Sequence, residues 1–280
     1  MITDAETNYL YLADTLPKKH PEFYSRFEVV LSECGINLSL LPGTKNIWAV
    51  DYMPVQIAEN KFVQFNYNPD YLQSKAGEKT ISDVGSICKS ISIETQKSDI
   101  KLDGGNVIRS TNKVIMCDKA LSENKHLKKE QLVEELKILS QSENLIIIPT
   151  DPLDEIGHAD GMVRFIDDKT VLINNYSKED IALELEQSLK SSINNAGLDW
   201  VEIPYNPYNN RKDFHANGIY MNFLQMENVL VIPIFNMMED EIAVKSFENN
   251  FNDYTIRTLE SNEIAYDGGV LNCITWNIKK

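Results

Sequence analysis

Short runs of alternating apolar and polar residues recur along the chain, and longer stretches with helical spacing separate them. Alternation is the pattern of a half-buried strand, whereas apolar residues three and four positions apart mark one face of a helix. Leu132, Leu136 and Leu139 show the helical spacing. Strands are predicted over residues 8–13, 36–41, 47–57, 62–66, 98–102, 105–109, 113–117, 145–149, 158–166, 171–174, 200–204, 218–226, 229–235, 255–259 and 269–278. Helices are predicted over residues 22–33, 80–91, 128–142, 178–195 and 239–250.

These elements repeat in the order strand, strand, helix, strand. Corresponding positions on the middle strand of each repeat are Asp51, Asn106, Asp160, Asn217 and Cys273. Successive steps between them are 55, 54, 57 and 56 residues, and a fixed period of this size is typical of a propeller or an array. The last repeat lacks one strand, which residues 8–13 can supply, so that no sheet edge stays open. We therefore predict an α/β ring of five modules closed by the N-terminal strand, with two α/β domains as the alternative.

In such a ring, equivalent strands line the central axis and bring distant residues together. Cys273 would then lie near Asp51 and near the segment that begins at His158. Alternate residues of a strand share one face, so His158, Asp160 and Arg164 are expected to point in the same direction. A cysteine alone is more often a buried, inert thiol, and the convergence is what marks Cys273 as a candidate nucleophile.

Composition and charge narrow the classes of function. The 280 residues are 42% hydrophobic and 25% charged, which is a globular composition, and the formal net charge is -15. Such a charge repels a nucleic-acid backbone and favours a cationic partner or substrate. The four cysteines form no CxxC pair and have no zinc-ligand spacing with the four histidines. Neither a structural metal nor a disulfide framework is therefore expected.

The sequence pattern also predicts where the protein is found. Residues 1–8 include two acidic residues and lack both the basic and the apolar region of a secretory signal. No uninterrupted apolar run has the length that a bilayer requires. We therefore expect a cytoplasmic protein that binds no membrane and needs no cofactor.

The candidate residues suggest one kind of chemistry. A thiol beside an imidazole, here Cys273 with His158, is a nucleophile paired with an acid and base. The adjacent carboxylates, Asp51 and Asp160, need a cation to compensate them, and without a metal that cation is expected to be the substrate. A planar guanidinium fits two carboxylates by bidentate hydrogen bonds. The carboxylates would also polarise its carbon towards attack by a thiolate.

Several segments resemble the agmatine deiminase and bacterial-type peptidyl-arginine deiminase family. They are Trp48 to Pro54, Asp103 to Asn106, Gly157 to Phe165, Tyr220 to Leu224 and Gly268 to Thr275. The match runs from about residue 46 to residue 280. The resemblance implies a pentein fold, in which five ββαβ modules form one α/β propeller domain over residues 1–280. It also implies hydrolysis of agmatine to N-carbamoylputrescine and ammonia, a step of putrescine and polyamine synthesis.

The resemblance implies a role for each matched residue. Cys273 would attack the guanidinium carbon and pass through a thiouronium intermediate, while Asp51 and Asp160 hold the guanidinium nitrogens. His158 would protonate the departing ammonia and then activate water. Trp48, Asp103, Asn106 and Arg164 are the expected residues of the substrate pocket. For free arginine, Arg109, Arg164 and Arg211 are the candidate anchors of the substrate carboxylate.

The sequence departs from the family at three positions. Val50 precedes the aspartate where the family usually has Arg, Asn46 replaces a common acid, and Asn272 precedes Cys273 where many members have His. By strand alternation, Val50 and Asn272 are expected to face away from Asp51 and Cys273, so that the chemistry is kept while the residues that support it change. The chain is also shorter than typical agmatine deiminases, so loops that cover the far end of the substrate are expected to be missing.

Other functions stay open on the sequence alone. Peptidyl-arginine is a second substrate if the pocket is open, and the amidino group could be transferred to an amine instead of to water. A non-catalytic guanidinium-binding module is the alternative outside enzymes, and Val50 and Asn272 motivate it. Related enzymes are often dimers, which makes a homodimer the expected assembly, although no heptad or apolar patch in the sequence marks an interface.

Overall fold

A computed structural model of the protein describes residues 1–152, 154–176, 180–206 and 215–280. The strands in these ranges are β1 Tyr9–Ala13, β2 Asn37–Leu41, β3 Val55–Ala58, β4 Lys61–Asn66, β5 Thr95–Lys101, β6 Ile108–Arg109, β7 Lys113–Cys117, β8 Asn144–Ile148, β9 Val163–Phe165, β10 Thr170–Asn174, β11 Asp199–Ile203, β12 Leu224–Met226, β13 Val229–Ile234, β14 Thr255–Glu260 and β15 Thr275–Ile278. The α-helices are α1 Leu16–Lys19, α2 Pro21–Glu33, α3 Ala49–Tyr52, α4 Lys75–Glu78, α5 Val84–Ser90, α6 Lys119–Glu123, α7 Lys129–Ser140, α8 Asp180–Asn195, α9 Glu239–Asn250, α10 Asn262–Ala265 and α11 Leu271–Ile274. Within these ranges, every helix is too short or too polar to cross a bilayer.

The strands form five sheets of three strands each. The strand orders are β15-β1-β2, β3-β4-β5, β6-β7-β8, β9-β10-β11 and β12-β13-β14. In every sheet the middle strand pairs antiparallel with one neighbour and parallel with the other. A helix lies in sequence between the two parallel strands, since a parallel pair needs a crossover. The predicted repeat of two strands, a helix and a strand is therefore present five times.

The N-terminal strand belongs to the same sheet as the C-terminal strand. β1 pairs antiparallel with β15, so that Tyr9 lies opposite Ile278, and parallel with β2, so that Tyr9 lies opposite Asn37. The prediction that residues 8–13 supply the strand missing from the last repeat is confirmed. The apolar side chains of β1, including Leu10 and Leu12, are fully buried.

The long helices cover the sheets with one apolar face. In α2 the buried residues are Phe23, Phe27 and Leu31, and in α7 Leu132 and Leu136 are buried at helical spacing. Each such face removes apolar surface from water at about 25 cal/mol per Å². The predicted helices match α2, α5, α7, α8 and α9 in place. Residues 178–179, where the fourth prediction begins, lie outside the described ranges.

Four of the long strands predicted from alternation begin as helical turns, which corrects that prediction. Asp51 lies in α3, Cys273 lies in α11, and two 3-10 turns cover Gly104–Asn106 and Ala159–Gly161. The turns pack closely on one another. A Cβ on Gly104 would lie 2.0 Å from the carbonyl oxygen of Val50, so this contact requires a glycine. Side-chain directions at these positions follow the turns and not the alternation of a strand.

Candidate active site

The helical turns that precede the strands surround a cavity of about 530 Å³. Asp51, His158, Asp160 and Cys273 line it, and Trp48 forms part of an apolar wall. The four polar residues lie on three different repeats, and the fold brings them together as the period predicted. Each of the four is buried or half-buried, so their charges interact in a medium of low polarity.

Carboxylates flank His158 on both sides of its ring. Nε2 lies 2.8 Å from Oδ2 of Asp103, and Nδ1 lies 3.4 Å from Oδ1 of Asp51. The hydroxyl of Tyr71 donates to the same oxygen of Asp103 at 2.7 Å. Asp51 accepts a further hydrogen bond from the backbone N–H of Gly105 at 3.3 Å. The imidazole is thus held between two acids and has little freedom to rotate.

Asp160 forms the other half of the cluster, beside the thiol. Sγ of Cys273 lies 3.6 Å from Oδ2 of Asp160. The same oxygen accepts hydrogen bonds from Nδ2 of Asn222 at 2.9 Å and from Nδ2 of Asn272 at 2.7 Å. Oδ1 of Asn222 accepts the backbone N–H of Cys273 at 3.2 Å. Asn222 therefore positions both the carboxylate and the backbone of the nucleophile.

The acids and the base of the cluster shift each other's pKa values. Burial raises the pKa of Asp51 to about 8, helped by the negative charges of Asp103 and Asp160 and opposed by His158. Burial alone would lower the pKa of His158, but Asp51, Asp103 and Asp160 outweigh it and raise that pKa to about 10. At neutral pH the surrounding acids therefore favour the imidazolium form of His158, while burial favours the protonated form of Asp51, and the two groups titrate together.

The thiol of Cys273 is also affected by its surroundings. Burial raises the pKa of Cys273 well above its ordinary value, and the charges of Asp160 and Asp51 add to that rise. These surroundings favour the protonated form of the sulfur. A cation bound between the two carboxylates would offset their charge and favour the thiolate, which is the nucleophilic form.

Two glycines allow the catalytic side chains to approach one another. A Cβ on Gly105 would lie 2.6 Å from Oδ1 of Asp51 and 2.7 Å from Nδ1 of His158. A Cβ on Gly269 would lie 2.5 Å from Cζ3 of Trp48 and 3.0 Å from Cβ of Cys273. The shortest distance at each glycine is below what a Cβ tolerates, so packing around the site requires both glycines.

Replacing Gly105 with alanine is expected to lower kcat/KM by about 100-fold, because Asp51 or His158 must move by part of an ångström. The matched control is Gly85→Ala in α5, where the new Cβ would lie 3.5 Å from its nearest neighbour. Steady-state assays and thermal unfolding of both variants measure the two effects separately. Normal kcat/KM in Gly105→Ala would show that the glycine is not needed at the site.

Three residues predicted to bind the substrate lie outside the lining of the cavity, and this corrects their placement. Asp103 lies behind His158 and contacts Tyr71. Asn106 is directed at the backbone of Cys117, whose N–H it accepts at 2.7 Å. Arg164 is 2% exposed and contacts residues on the side away from the cavity. Because turns replace the predicted strands, Arg164 does not share a face with His158 and Asp160.

The other predicted residues stand as follows. Trp48, Asp51, His158, Asp160 and Cys273 all line the cavity, as proposed from the sequence. Val50 and Asn272 both lie outside the lining, and Asn272 donates to Asp160 from behind it, as a supporting contact. Of the arginines considered for a carboxylate anchor, Arg109 pairs with Asp4, and Arg211 lies outside the described residues.

Replacing Asn106 with alanine is expected to lower the free energy of unfolding by about 2 kcal/mol, because it leaves the backbone N–H of Cys117 without its acceptor. Asn194→Ala on the exposed face of α8 is the control, and it should change stability by less than about 0.5 kcal/mol. Chemical denaturation measures both. An unchanged stability in Asn106→Ala would contradict the structural role assigned to this residue.

The structure adds residues that the sequence reasoning did not single out. Tyr71, Asn222, Asp154 and Glu155 all line the cavity. Asn222 stands in a segment that carried the family resemblance, but the period selected Asn217 in its place. The acidic pair Asp154 and Glu155 lies four and three residues before His158, and this closeness in sequence indicates that both could reach the same cavity.

Ligands that could bind this cavity are limited by its donors and acceptors. Among the residues that the structure describes, no group of three or more His, Cys, Asp and Glu side chains is arranged to hold a metal ion. The lining presents several carboxylates together with aromatic surface from Trp48, Tyr67 and Tyr71. A flat organic cation fits both features, since its edges can donate to carboxylates while its face contacts the rings.

The sequence matches a known protein family over nearly its whole length. The sequence pattern of the family described as Porphyromonas-type peptidyl-arginine deiminase matches residues 4–278. A protein of Vibrio parahaemolyticus with the provisional name agmatine deiminase is 26% identical over 224 residues, which are 69% of this chain and 62% of that protein. The chain thus spans less than two thirds of the length of that relative.

Solved structures share the fold. An agmatine deiminase of C. jejuni has a TM-score of 0.83 at 22% identity, over 100% of this chain and 95% of the other. An agmatine deiminase of Enterococcus faecalis has a TM-score of 0.79 at 17% identity, over 100% and 95% of the two chains. At such identities the likeness shows the architecture, and the chemistry has to be argued from the side chains.

Proposed function

Because the chain belongs to the Porphyromonas-type peptidyl-arginine deiminase family, we propose that it is a hydrolase that removes ammonia from a guanidino compound. The observation that carries the proposal is the grouping of Cys273, His158, Asp51 and Asp160 around one cavity. A nucleophile, an acid and base, and two acids that need a cation are the parts that this reaction requires.

The substrate itself is proposed to activate the nucleophile. A guanidinium held by Asp51 and Asp160 would bring a positive charge next to Cys273, whose pKa those two acids raise in the empty site. That charge favours loss of the thiol proton to solvent and loss of the proton on Asp51. The thiolate forms only when a cation is bound, so the empty enzyme is protected from side reactions.

The proposed reaction has two steps that balance. In the first, the sulfur of Cys273 forms a bond to the guanidinium carbon, and the C–N bond to one terminal nitrogen breaks after His158 donates a proton to it. Ammonia leaves and a thiouronium remains on the sulfur. In the second, water attacks the same carbon and gives one proton to His158. The C–S bond then breaks as the new hydroxyl loses its remaining proton to solvent, where the released ammonia takes up one proton to become ammonium. The product is a carbamoyl amine, and the thiolate is restored.

Agmatine is the proposed substrate, with N-carbamoylputrescine as the product. Its far end is an ammonium, and the acidic side chains of Asp154 and Glu155 line the same cavity. Asp154 also accepts hydrogen bonds from the backbone N–H groups of Ile156 at 2.9 Å and of His158 at 3.3 Å. Glu155 is therefore the acid that we expect to bind the ammonium. The names of the Vibrio and C. jejuni proteins support the same substrate.

The five sheets are proposed to be the blades of a propeller with the cavity at its centre. Support comes from the identical pairing in each sheet and from the closure of the last sheet by β1. The likeness to solved agmatine deiminases supports the same arrangement. It explains why residues two repeats apart, such as Asp51 and Asp160, take part in one cluster.

Deimination of arginine, free or at the end of a peptide, is the second candidate. Lys19 and Lys45 also line the cavity and could hold a carboxylate. Lys19 pairs with Asp267 at 2.6 Å, so Lys45 is the more available cation. An amidino transfer would use the same first step with an amine in place of water.

Ammonia release from agmatine, arginine and a peptide ending in arginine distinguishes these candidates. We expect the highest kcat/KM for agmatine and a loss of about tenfold in Glu155→Gln, mainly through KM, because one charge-assisted contact is removed. Lys45→Met is the control, because it removes a positive charge from the same cavity. It should leave agmatine turnover unaffected. Faster turnover of arginine than of agmatine, lost in Lys45→Met, would select the second candidate. Ammonia formation from none of the three would reject the deiminase.

A further inference from the structure

A chain of hydrogen bonds leads from Asp160 to the side of the molecule away from the cavity. Nδ2 of Asn272 donates to Asp160 at 2.7 Å, NH1 of Arg164 donates to Oδ1 of Asn272 at 3.1 Å, and NH2 of Arg164 donates to Asp4 at 2.8 Å. We propose that Arg164 is a positioning residue, which fixes the Asn272 amide and thereby the carboxylate that holds the substrate. The inference rests on the proposed function, because it concerns the same binding site.

The chemistry of the side chains fixes the direction of each bond. A guanidinium can only donate, so the atom of Asn272 that faces Arg164 must be the amide oxygen. The amide nitrogen then faces Asp160, which as a carboxylate can only accept. If the Asn272 amide were reversed, its oxygen would lie against the Asp160 carboxylate, and two N–H groups would lie against the guanidinium. Arg164 thus allows one orientation of Asn272.

Arg164 also contacts the chain beside the second amide that donates to Asp160. Its NH1 donates to the carbonyl oxygen of Phe223 at 3.1 Å, and its guanidinium carbon lies 4.5 Å from the centre of the Phe223 ring. Phe223 follows Asn222, whose Nδ2 donates to Asp160. Both amides that hold Asp160 therefore depend on the position of one arginine.

The two amides occupy the same oxygen of Asp160. Asn222 and Asn272 both donate to Oδ2, the oxygen nearest to Sγ of Cys273. In the part of the chain that the structure describes, no hydrogen bond reaches Oδ1. Two neutral donors on Oδ2 hold the plane of the carboxylate and leave the other oxygen available to a guanidinium N–H. The role of Asn272 is therefore to orient the substrate-binding acid.

Asp4 holds the far end of this chain. Its carboxylate pairs with Arg164 and with Arg109, and Asn277 lies 3.5 Å from it. Burial alone would raise the pKa of Asp4, but the two guanidinium groups lower it, so Asp4 stays charged. The ion pair orients Arg164 and compensates its buried charge, since an unpaired guanidinium in such a place would be costly.

A double-mutant cycle in the Cys273→Ala protein tests the proposal, because it reports binding without turnover. Arg164→Met, Asn272→Ala and the double variant are titrated with agmatine by calorimetry. We expect Kd to rise about tenfold in each single variant and no further in the double variant, because both changes remove the same orientation of Asp160. Arg26→Met on the exposed face of α2 is the control and should leave Kd unchanged. An unchanged Kd in folded Arg164→Met, or effects that multiply in the double variant, would overturn the proposal.

A second measurement needs no guanidino ligand and separates this inference from the proposed function. The side-chain amide of Asn272 is observed by ¹⁵N NMR and assigned by its loss in Asn272→Ala. We expect slow hydrogen exchange of this amide in the wild type and exchange at least tenfold faster in Asp4→Asn, because this change weakens the ion pair that orients Arg164. The Asp4→Asn variant also tests the proposal if Arg164→Met does not fold. Glu6→Gln, on the same turn but paired with Lys279, is the control. Equal exchange in Asp4→Asn and the wild type would reject the role of Arg164, whether or not agmatine is a substrate.

Discussion

Cys273→Ala is expected to abolish ammonia release, with kcat lowered by about 10⁴-fold or more, because the covalent step has no other nucleophile in the cluster. The proposed guanidinium contacts are those of Asp51 and Asp160, so Kd for agmatine should change by less than about threefold. Initial rates and calorimetry measure the two quantities. A large loss of kcat with intact binding assigns the residue to chemistry and not to the shape of the cavity.

Cys34 provides the matched control for this experiment. It is another free, half-buried cysteine, but it packs against the apolar core and does not line the cavity. Cys34→Ala should keep full activity. Alkylation by iodoacetamide, read from the mass of the peptide that contains Cys273, should be accelerated by a bound cation that does not block the sulfur. More than about 1% of wild-type kcat in Cys273→Ala would contradict covalent catalysis by this residue.

The dependence of kcat/KM on pH should be a bell, and Asp51 is expected to set its rising limb. Burial, together with Asp103 and Asp160, raises the pKa of Asp51 to about 8. Below this pH the carboxyl is neutral and cannot hold a cation, so kcat/KM should rise by at least about tenfold per pH unit up to this pKa, and the thiol of Cys273, whose pKa is also raised, extends the rise to higher pH. The rising limb reports the free enzyme, in which no substrate charge offsets that of the acids.

His158 is expected to set the falling limb. Burial acts to lower its pKa, but Asp51, Asp103 and Asp160 raise it to about 10, so the imidazolium persists through neutral pH. Above that pH the proton needed by the leaving ammonia is lost, and kcat/KM should fall. The two limbs belong to the coupled cluster and shift together when one member is changed.

Asp51→Asn tests the assignment of the rising limb. The amide cannot ionise, so kcat/KM should drop by about 100-fold at pH 8 and lose the slope that Asp51 causes. In the wild type, agmatine binding at pH 7 should release protons, because the bound cation lowers the pKa of Asp51. Calorimetry in buffers with different ionisation enthalpies measures that release. A flat profile from pH 5 to 9, or binding without proton release, would contradict the proposed pairing of substrate and acid.

Much of the fold could be predicted from local sequence. The helix α7 follows from Leu132 and Leu136, which are buried at helical spacing, and the strand over residues 8–13 follows from alternation. The regular period could be read because each repeat folds as the same unit of two strands, a helix and a strand. These features depend on neighbours in sequence, which is the information that a pattern contains.

The short turns before the strands could not be predicted in this way. Residues 47–57 and 158–166 were expected to be continuous strands, but α3 and a 3-10 turn interrupt them. The turns depend on contacts between repeats, such as that of Gly104 with the backbone of Val50. A contact between residues more than 50 positions apart leaves no local period.

The sequence by itself determined the candidate residues: Cys273, His158, Asp51 and Asp160 stand at repeat-related or nearby positions, and all four line the cavity. Only the tertiary structure decided what supports them. Arg164 and Asn106 lie outside the lining of the cavity, and Asn272 links Arg164 to Asp160. The physical reason is that the direction of a side chain at a turn depends on the packing of other repeats. The type of a residue and its place in the repeat, in contrast, can be read from the sequence without knowledge of that packing.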